Sequence, residues 1–393
     1  MKLKCILIGC LSLFAVHIHA QSNVQSPSGK VVLFLPLQLD SIFTEQQEYR
    51  YGRYEFPRFV SGALEFYQGF EEALDSLKKR KGNIDVVVVD TKSESHPVST
   101  LVDKDSIKNA DIWLLHGNTA ESKQLADYAR AYNIPLVNIN LPNDGGIQSN
   151  PYYFMWNSTL STQCNGIYKH LQQYYALNRI ILVRKKGNME DKILNYWEQN
   201  GQRTPGVPLT YRIIEGVDTV SLKQLKSTLD STQQTILVGA SLDDRFARTL
   251  ATAASELRTA GYKIELMGMS TWENVREFTT NRFKNLEVTI PTPFYYPKAD
   301  ALSKWLQIRF QNKNFGKVSD LYMRGYEIAW LLHPFLRENN SSLAETLPGK
   351  RKLLFAEVDW QAVTNPQSLQ TDYFENKKLY FVKRMDGTIR SVR

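Results

Sequence analysis

The chain has 393 residues, 42% of them hydrophobic and 22% charged, with a formal net charge of +8. That apolar content is ample for packed cores and excludes a disordered chain, and the length points to two domains rather than one. The basic runs at 78–81, 184–186 and 350–352 are scattered and read as solvated helix ends, strand edges or loops, so nothing indicates a nucleic-acid partner.

At the N-terminus, Lys2 and Lys4 precede an apolar run at 5–16, and Ala20 offers a small residue before a cut at Gln21. The run is shorter than the roughly 20 residues a membrane helix needs, so 1–20 reads as an export signal. Residues 21–29 then form a polar leader. Leu7-Ile8-Gly9-Cys10 also resembles a lipobox, which would make Cys10 a lipidated N-terminus, although few residues precede it. With no later run long enough to span a bilayer, the mature chain is expected in the periplasm. Loss of Lys2 and Lys4 leaves a charge of +6, and Cys164 becomes the only mature cysteine, so no intramolecular disulfide forms. The histidines are isolated, no Cys/His metal spacing occurs, and no cofactor is implied.

The first buried strand is expected at 31–37 (V-V-L-F-L-P-L), with Pro36 near its end, where the missing N–H does least harm. A polar and aromatic loop, 38–56, is long enough to overhang the mouth of a site. Pro57 opens a helix to about 79, with Phe59, Ala63, Phe66, Phe70, Ala73, Leu74 and Leu77 on one face. The Val-rich run at 84–90 lacks alternation, as a strand buried on both faces does. A helix at 98–108, a strand at 112–115, a helix at 120–132 and a strand at 136–141 complete a β-α-β-α-β-α-β unit.

The rhythm restarts with strands at 153–156, 179–184, 210–214, 235–238 and 264–267. Helices are expected at 160–175, 189–200 (with Gly201 as its C-cap), 221–229 and 243–260. A third region holds a strand at 288–290, helices near 298–311 and 320–338, and a strand at 353–358. A final strand pair, 379–385 and 388–392, joins through Asp386-Gly387, a good hairpin signal. The fold class is α/β, with two doubly wound parallel-sheet lobes.

Within this scheme the stretch 110–122 (A-D-I-W-L-L-H-G-N-T-A-E-S) stands out. A strand ends, the chain turns at Gly117, and a helix starts with Asn118 or Thr119 as its cap. Ligands of open α/β sheets settle at such carboxyl ends, where free helix N–H groups attract anions. Taken alone, the stretch more often reads as a helix cap that binds nothing, since strand-turn-helix units occur throughout α/β proteins.

The order of elements resembles the type I periplasmic binding proteins, of the branched-chain amino-acid binding and receptor-ligand-binding kind. The residues that carry the resemblance are Phe66-Tyr67-Gln68-Gly69-Phe70-Glu71-Glu72-Ala73, Gly117 to Ser122, Ile134-Pro135-Leu136-Val137, Gln163, Gly325-Tyr326-Glu327-Ile328-Ala329, and the ending Phe374-Glu375-Asn376 with Met385-Asp386-Gly387-Thr388-Ile389. The resemblance implies two lobes joined by three hinge crossovers, with ligand closed between them. Lobe 1 would comprise 30–156 with 270–339; lobe 2 would comprise 157–269 with 340–393, including a hinge tail. It also implies a ligand site at Asn118, Thr119, Ala120 and Ser122, then Leu141, Pro142 and Asn143. Lobe 2 would add Ser241 and Asp243, with Lys186 or Gly187.

Two departures matter. Relatives carry Phe-Arg-Thr/Ser at the fifth strand, where this chain has Phe154-Met155-Trp156-Asn157-Ser158, and the exit of the fourth strand reads Asn140-Leu141-Pro142-Asn143-Asp144-Gly145-Gly146. Both weigh against an amino-acid ligand. Trp156 and Trp272 then read either as stacking walls for a sugar, nucleobase or peptidoglycan fragment, or as packed hinge and core residues.

Catalytic signatures are missing: the chain has no G-x-S-x-G, H-E-x-x-H or G-x-x-x-x-G-K, and Cys164 falls within a helical pattern as a buried thiol. The expected function is therefore non-enzymatic capture of a small polar solute for an ABC-type uptake system, with an inner-membrane permease as partner. The alternative is an envelope sensor or protein-interaction module on a degenerate version of the fold, with an envelope protein as partner.

Overall fold

Unalternated runs of branched and aromatic residues become the parallel strands that carry both lobes. The computed structural model describes residues 29–52, 55–80, 82–314, 316–337 and 342–393; the expected export signal, with the alternative lipidation site Cys10, lies outside them. The first sheet takes β1 (Lys30–Leu35), β2 (Asp85–Asp90), β3 (Ile112–Leu115), β4 (Leu136–Asn138) and β5 (Tyr153–Met155), all parallel. Between them lie α1 (Leu39–Ile42), α2 (Ser61–Lys78), α3 (Val98–Leu101), α4 (Asp105–Lys108) and α5 (Thr119–Tyr132). The helix expected at 98–108 is thus two short helices.

The chain then crosses to α6 (Leu160–Tyr175), β6 (Arg179–Lys185), α7 (Asn188–Arg203), β7 (Arg212–Gly216), α8 (Leu222–Thr228), β8 (Thr235–Gly239), α9 (Asp244–Thr259) and β9 (Ile264–Met267). Gly201 does not cap α7, which runs two residues past it. After β10 (Glu287–Thr292) come α10 (Ala301–Asn314), α11 (Asp320–Arg337) and α12 (Leu343–Thr346). The chain ends with β11 (Gly349–Lys352), β12 (Glu357–Thr364), β13 (Thr371–Asn376), β14 (Tyr380–Met385) and β15 (Thr388–Val392). Asp386 (φ 52°) and Gly387 (φ 74°) both take left-handed backbone in the last turn, as a two-residue type I′ hairpin needs.

The sheets divide the chain differently from the sequence reading. The order is β11-β12-β13-β5-β4-β3-β1-β2 in one and β15-β14-β10-β9-β8-β6-β7 in the other. So β10, expected in lobe 1, pairs with β9 and β14 in lobe 2, while β11 to β13, expected in lobe 2, extend the lobe 1 sheet. A short apolar strand near a crossover pairs with either sheet by the same backbone bonds, so composition does not reveal its choice. The strand expected at 353–358 begins only at Glu357, and the charge-rich β11 escaped notice because antiparallel strands at a sheet edge need no apolar run.

Three crossovers join the lobes: β5 to α6, β10 to α10 and β13 to β14. The parallel strands β5 and β10 both leave their sheets at the carboxyl end. The carboxyl ends of both sheets therefore face the crossovers that join the lobes. Helices α2 and α11 cover the lobe 1 sheet through a core containing Val31, Leu33, Phe66, Phe70, Tyr322 and Met323.

Candidate functional site

The turn after β3 is clamped before any ligand arrives. The Gly117 nitrogen donates to Asn140 Oδ1 at 3.0 Å, and Asn140 Nδ2 donates to the Gly117 carbonyl at 2.9 Å. Helix α5 then opens with a reciprocal cap: the Glu121 nitrogen donates to Asn118 Oδ1 at 3.0 Å, and the Asn118 nitrogen donates to Glu121 Oε2 at 2.7 Å. Lys92 Nζ lies 2.8 Å from the other oxygen, Oε1. The positive end of the α5 dipole thus already holds a carboxylate, its own.

Thr119, Ala120, Pro142 and Asn143 are exposed around this cap, and Thr119 Oγ1 reaches Asn143 Oδ1 at 3.5 Å. Ser122 turns the other way. It is buried and accepts from Asn138 Nδ2 at 3.3 Å, so it braces the sheet rather than the cleft.

In lobe 2, Ser241 is fully buried and donates to Glu190 Oε1 at 2.5 Å. Asp243 caps α9 by accepting from the Phe246 nitrogen at 2.9 Å and pairs with Lys185 Nζ at 2.8 Å. The Lys185 bond, followed by the Phe246 bond, holds the Asp243 carboxyl below its ordinary range. Lys186 is exposed beside Gly187.

Neither tryptophan forms a stacking wall. Trp156 is 1% exposed and packs edge-on against Trp360, their rings 5.5 Å apart. Trp272 is fully buried, and its Nε1 donates to the Ser241 carbonyl at 2.8 Å. Its ring fills a niche that only glycine leaves open: a Cβ at Gly239 would stand 2.0 Å from the indole, and one at Gly268 2.2 Å. Cys164 is buried and free, and burial pushes its thiol up to about 12.

The sequence reading missed a set of buried polar atoms that have no hydrogen-bond partner. Among them are His116 Nδ1 just beyond β3, Asn157 Oδ1 beyond β5, Ser270 Oγ beyond β9 and Arg324 Nε on α11. Asn157 Nδ2 bonds the Asn140 carbonyl at 2.8 Å, and Arg324 Nη1 bonds the Ile139 carbonyl, so lobe 1 members share one patch of chain. The Arg324 guanidinium lies 5.2 Å over the Phe294 ring in the second crossover.

Electrostatics tie this patch to lobe 2. Burial lowers Arg324 to about 10, opposed by Asp320, Glu327 and Glu273. Burial and then the Arg324 charge lower His116 to about 4, so it is neutral at pH 7. Burial and Asp320 push the Glu273 carboxyl up, while Arg384, 2.9 Å away, pulls it down. The one available signal was a charged pair, Arg324 and Glu327, set three residues apart on an otherwise apolar helix face. The arrangement offers hydrogen-bond donors, acceptors and paired charges. Among the described residues no group of His, Cys, Asp and Glu is placed to hold a metal ion.

No protein-family model and no curated protein matches the sequence. Solved structures do match. One is a putative branched-chain amino acid ABC transporter from Rhodospirillum rubrum, with TM-score 0.66 and 12% identity over 92% of this chain and 99% of that one. Another is an ABC transporter substrate-binding protein from Desulfitobacterium hafniense in complex with Leu, with TM-score 0.55 and 12% identity over 92% and 98%. A third is full-length LpoA from Haemophilus influenzae, with TM-score 0.58 and 15% identity; the match covers 92% of this chain and 58% of LpoA. The fold is the two-lobed α/β architecture of the type I periplasmic binding proteins.

Proposed function

We propose that the protein is a non-enzymatic, exported binding protein that captures a small polar solute between its lobes for an ABC-type uptake system. The observation that supports this reading is a set of unpaired buried polar atoms at the strand exits: His116 Nδ1, Asn157 Oδ1 and Ser270 Oγ lie just beyond β3, β5 and β9, and Arg324, with Nε unpaired, bonds the Ile139 carbonyl beyond β4. Each such atom costs about 1–3 kcal/mol when left without a partner, a cost that a bound solute with its waters removes. Three crossovers permit a hinge motion that closes the lobes over it. The self-capped α5 disfavours a ligand carboxylate there, so the solute presents hydroxyl or amide groups, as sugars, nucleosides and muropeptides do.

The test is a thermal-shift panel of the chain from Gln21 against amino acids, sugars, nucleosides and muropeptides. A solute at 100 times its dissociation constant adds about 2.7 kcal/mol. A hit lost in Asn157→Ala at unchanged basal melting temperature supports the cleft. Silence from a well-folded protein overturns the reading.

One observation favours a second reading, an envelope sensor or protein-interaction module with a weak or absent ligand site. The Asn118–Glu121 cap and the Asn140–Gly117 clamp satisfy the loops after β3 and β4 with no ligand present. A silent panel together with recovery of one stoichiometric envelope protein by crosslinking supports it.

A further inference from the structure

The long connection after β1 is fixed in place and roofs a cavity. Asp90 accepts the main-chain nitrogens of Leu37 and Gln38 at 3.0 Å and of Leu39 at 2.8 Å. Asp40 accepts from Ser95 and Ser93, bonds that hold its carboxyl below the ordinary range. Beyond α1 the segment folds into a small antiparallel turn, in which Phe43 bridges Tyr49, the Thr44 nitrogen bonds Glu48 at 2.8 Å and the Arg50 nitrogen bonds Ile42 at 2.8 Å. Gln38 (φ 53°) and Gln47 (φ 63°) take left-handed backbone to make these turns, which non-glycine residues adopt only when the surroundings require it.

Beneath the segment lies a cavity of about 520 Å³. That is within the size range of small-molecule pockets. Ile42, Pro57 and Val60 are buried at its base. Phe43, Tyr49 and Phe56 stand 38%, 40% and 53% exposed at its rim. The aromatic series continues outward, with ring centroids 5.8 Å apart for Phe43–Tyr49, 5.7 Å for Tyr49–Tyr51 and 6.5 Å for Tyr51–Phe59. Water-facing aromatic rings around an apolar hollow favour an occupant.

The charge in the wall names its chemistry. Among the described residues Glu55 is the one charged residue lining the cavity, and its carboxylate has no ion pair with any of them. A cation offered to this hollow meets a free carboxylate and three aromatic rings, the combination that recognises organic ammonium groups. None of the residues lining the cavity belongs to the patch of His116, Asn157, Ser270 and Arg324. Val60, the residue before α2, and Leu64 one turn on both line it, whereas Gly62 between them faces His116 and Leu321.

We propose that this cavity binds a small organic cation, an ammonium group carried on an aromatic or alkyl body, with the ammonium against Glu55 and the body between Phe43, Phe56 and Leu64. The site does not depend on the solute-binding reading of the cleft. The probes are benzyltrimethylammonium and its uncharged carbon isostere, neopentylbenzene, titrated into the full exported chain by ligand-observed NMR. The cation is expected to bind at least fivefold more tightly than the isostere. Glu55→Gln, at an exposed position, should weaken the cation at least fivefold and leave the isostere within twofold, and Phe43→Ala should weaken both. Equal affinity for the two probes, an unchanged cation affinity in Glu55→Gln, or no binding of either probe by the folded protein would each overturn the proposal.

Discussion

The Glu121 carboxylate and the Asn118 main-chain nitrogen lie 2.7 Å apart, and the Asn118 side chain returns the bond to the Glu121 nitrogen at 3.0 Å. This pair sits where the resemblance implies a ligand site. A second negative charge at the same helix end would face Glu121 before it met a free N–H group. In the wild-type chain an amino acid is therefore expected to shift the melting temperature less than its carboxamide does. Glu121→Gln keeps the box geometry, removes the charge and should favour the carboxylate form. Asn118→Ala should cost about 1 kcal/mol in urea unfolding, the usual worth of such a cap.

The Trp272 niche yields a sharper stability expectation. An alanine at Gly239 or Gly268 drives a methyl group into the indole at 2.0 Å or 2.2 Å. The ring has no room to retreat, since it is fully buried and stacks on Phe278 at 6.0 Å. Each substitution should lower stability by about 1–3 kcal/mol or more, and Trp272→Ala by about 3–5 kcal/mol. Urea midpoints measure both. Unchanged midpoints with loss of ligand binding would return Trp272 to the cleft wall.

Helices α2 and α11 cross at two glycines, Gly69 and Gly325, both among the residues that carry the family resemblance. A Cβ on Gly69 would stand 1.9 Å from the Tyr322 carbonyl oxygen, and one on Gly325 would stand 2.2 Å from that of Phe66. Gly325→Ala must separate two backbones rather than one flexible side chain, so it should cost at least about 3 kcal/mol, read from the denaturation midpoint.

That crossing shows what the sequence made legible. Strands such as Ile112–Leu115 and Thr235–Gly239 stand where their apolar runs predict, because a strand buried on both faces writes its burial into consecutive residues. Strand β11, Gly349–Lys352, carries no such record. Its place at a sheet edge is fixed by pairing with β12, a long-range relationship invisible in a local window. The site was legible to the same degree. Local chemistry located Asn118 and Asp243 as helix starts, whereas Arg324 joins Ile139 from 185 residues away. Trp156 and Trp272 were ambiguous because a large aromatic serves a core and a binding wall equally well, and only the surrounding glycines and the neighbouring Trp360 decide between them.

Two buried groups set opposing pH slopes. His116 has a native value of about 4 against an ordinary 6.5, because burial and Arg324 disfavour its charged form. As pH falls below 6.5 the unfolded chain takes up a proton that the native chain refuses. Stability from this residue is therefore complete above 6.5, falls through the window to 4 and is level below it, a total of up to about 3 kcal/mol. Burial raises Glu327 to about 8 from an ordinary 4.5, despite the Phe355 nitrogen that donates to it at 2.6 Å. Here the native chain keeps a proton that the unfolded chain releases, so stability is greatest below 4.5 and falls as pH rises to 8. Urea midpoints between pH 4 and 8 separate the two. Glu327→Gln, which keeps a neutral side chain of the same shape, should flatten the decline between 4.5 and 8 and leave the His116 loss below 6.5 more visible. An unchanged alkaline slope in Glu327→Gln would mean that the native carboxyl is ionised at neutral pH.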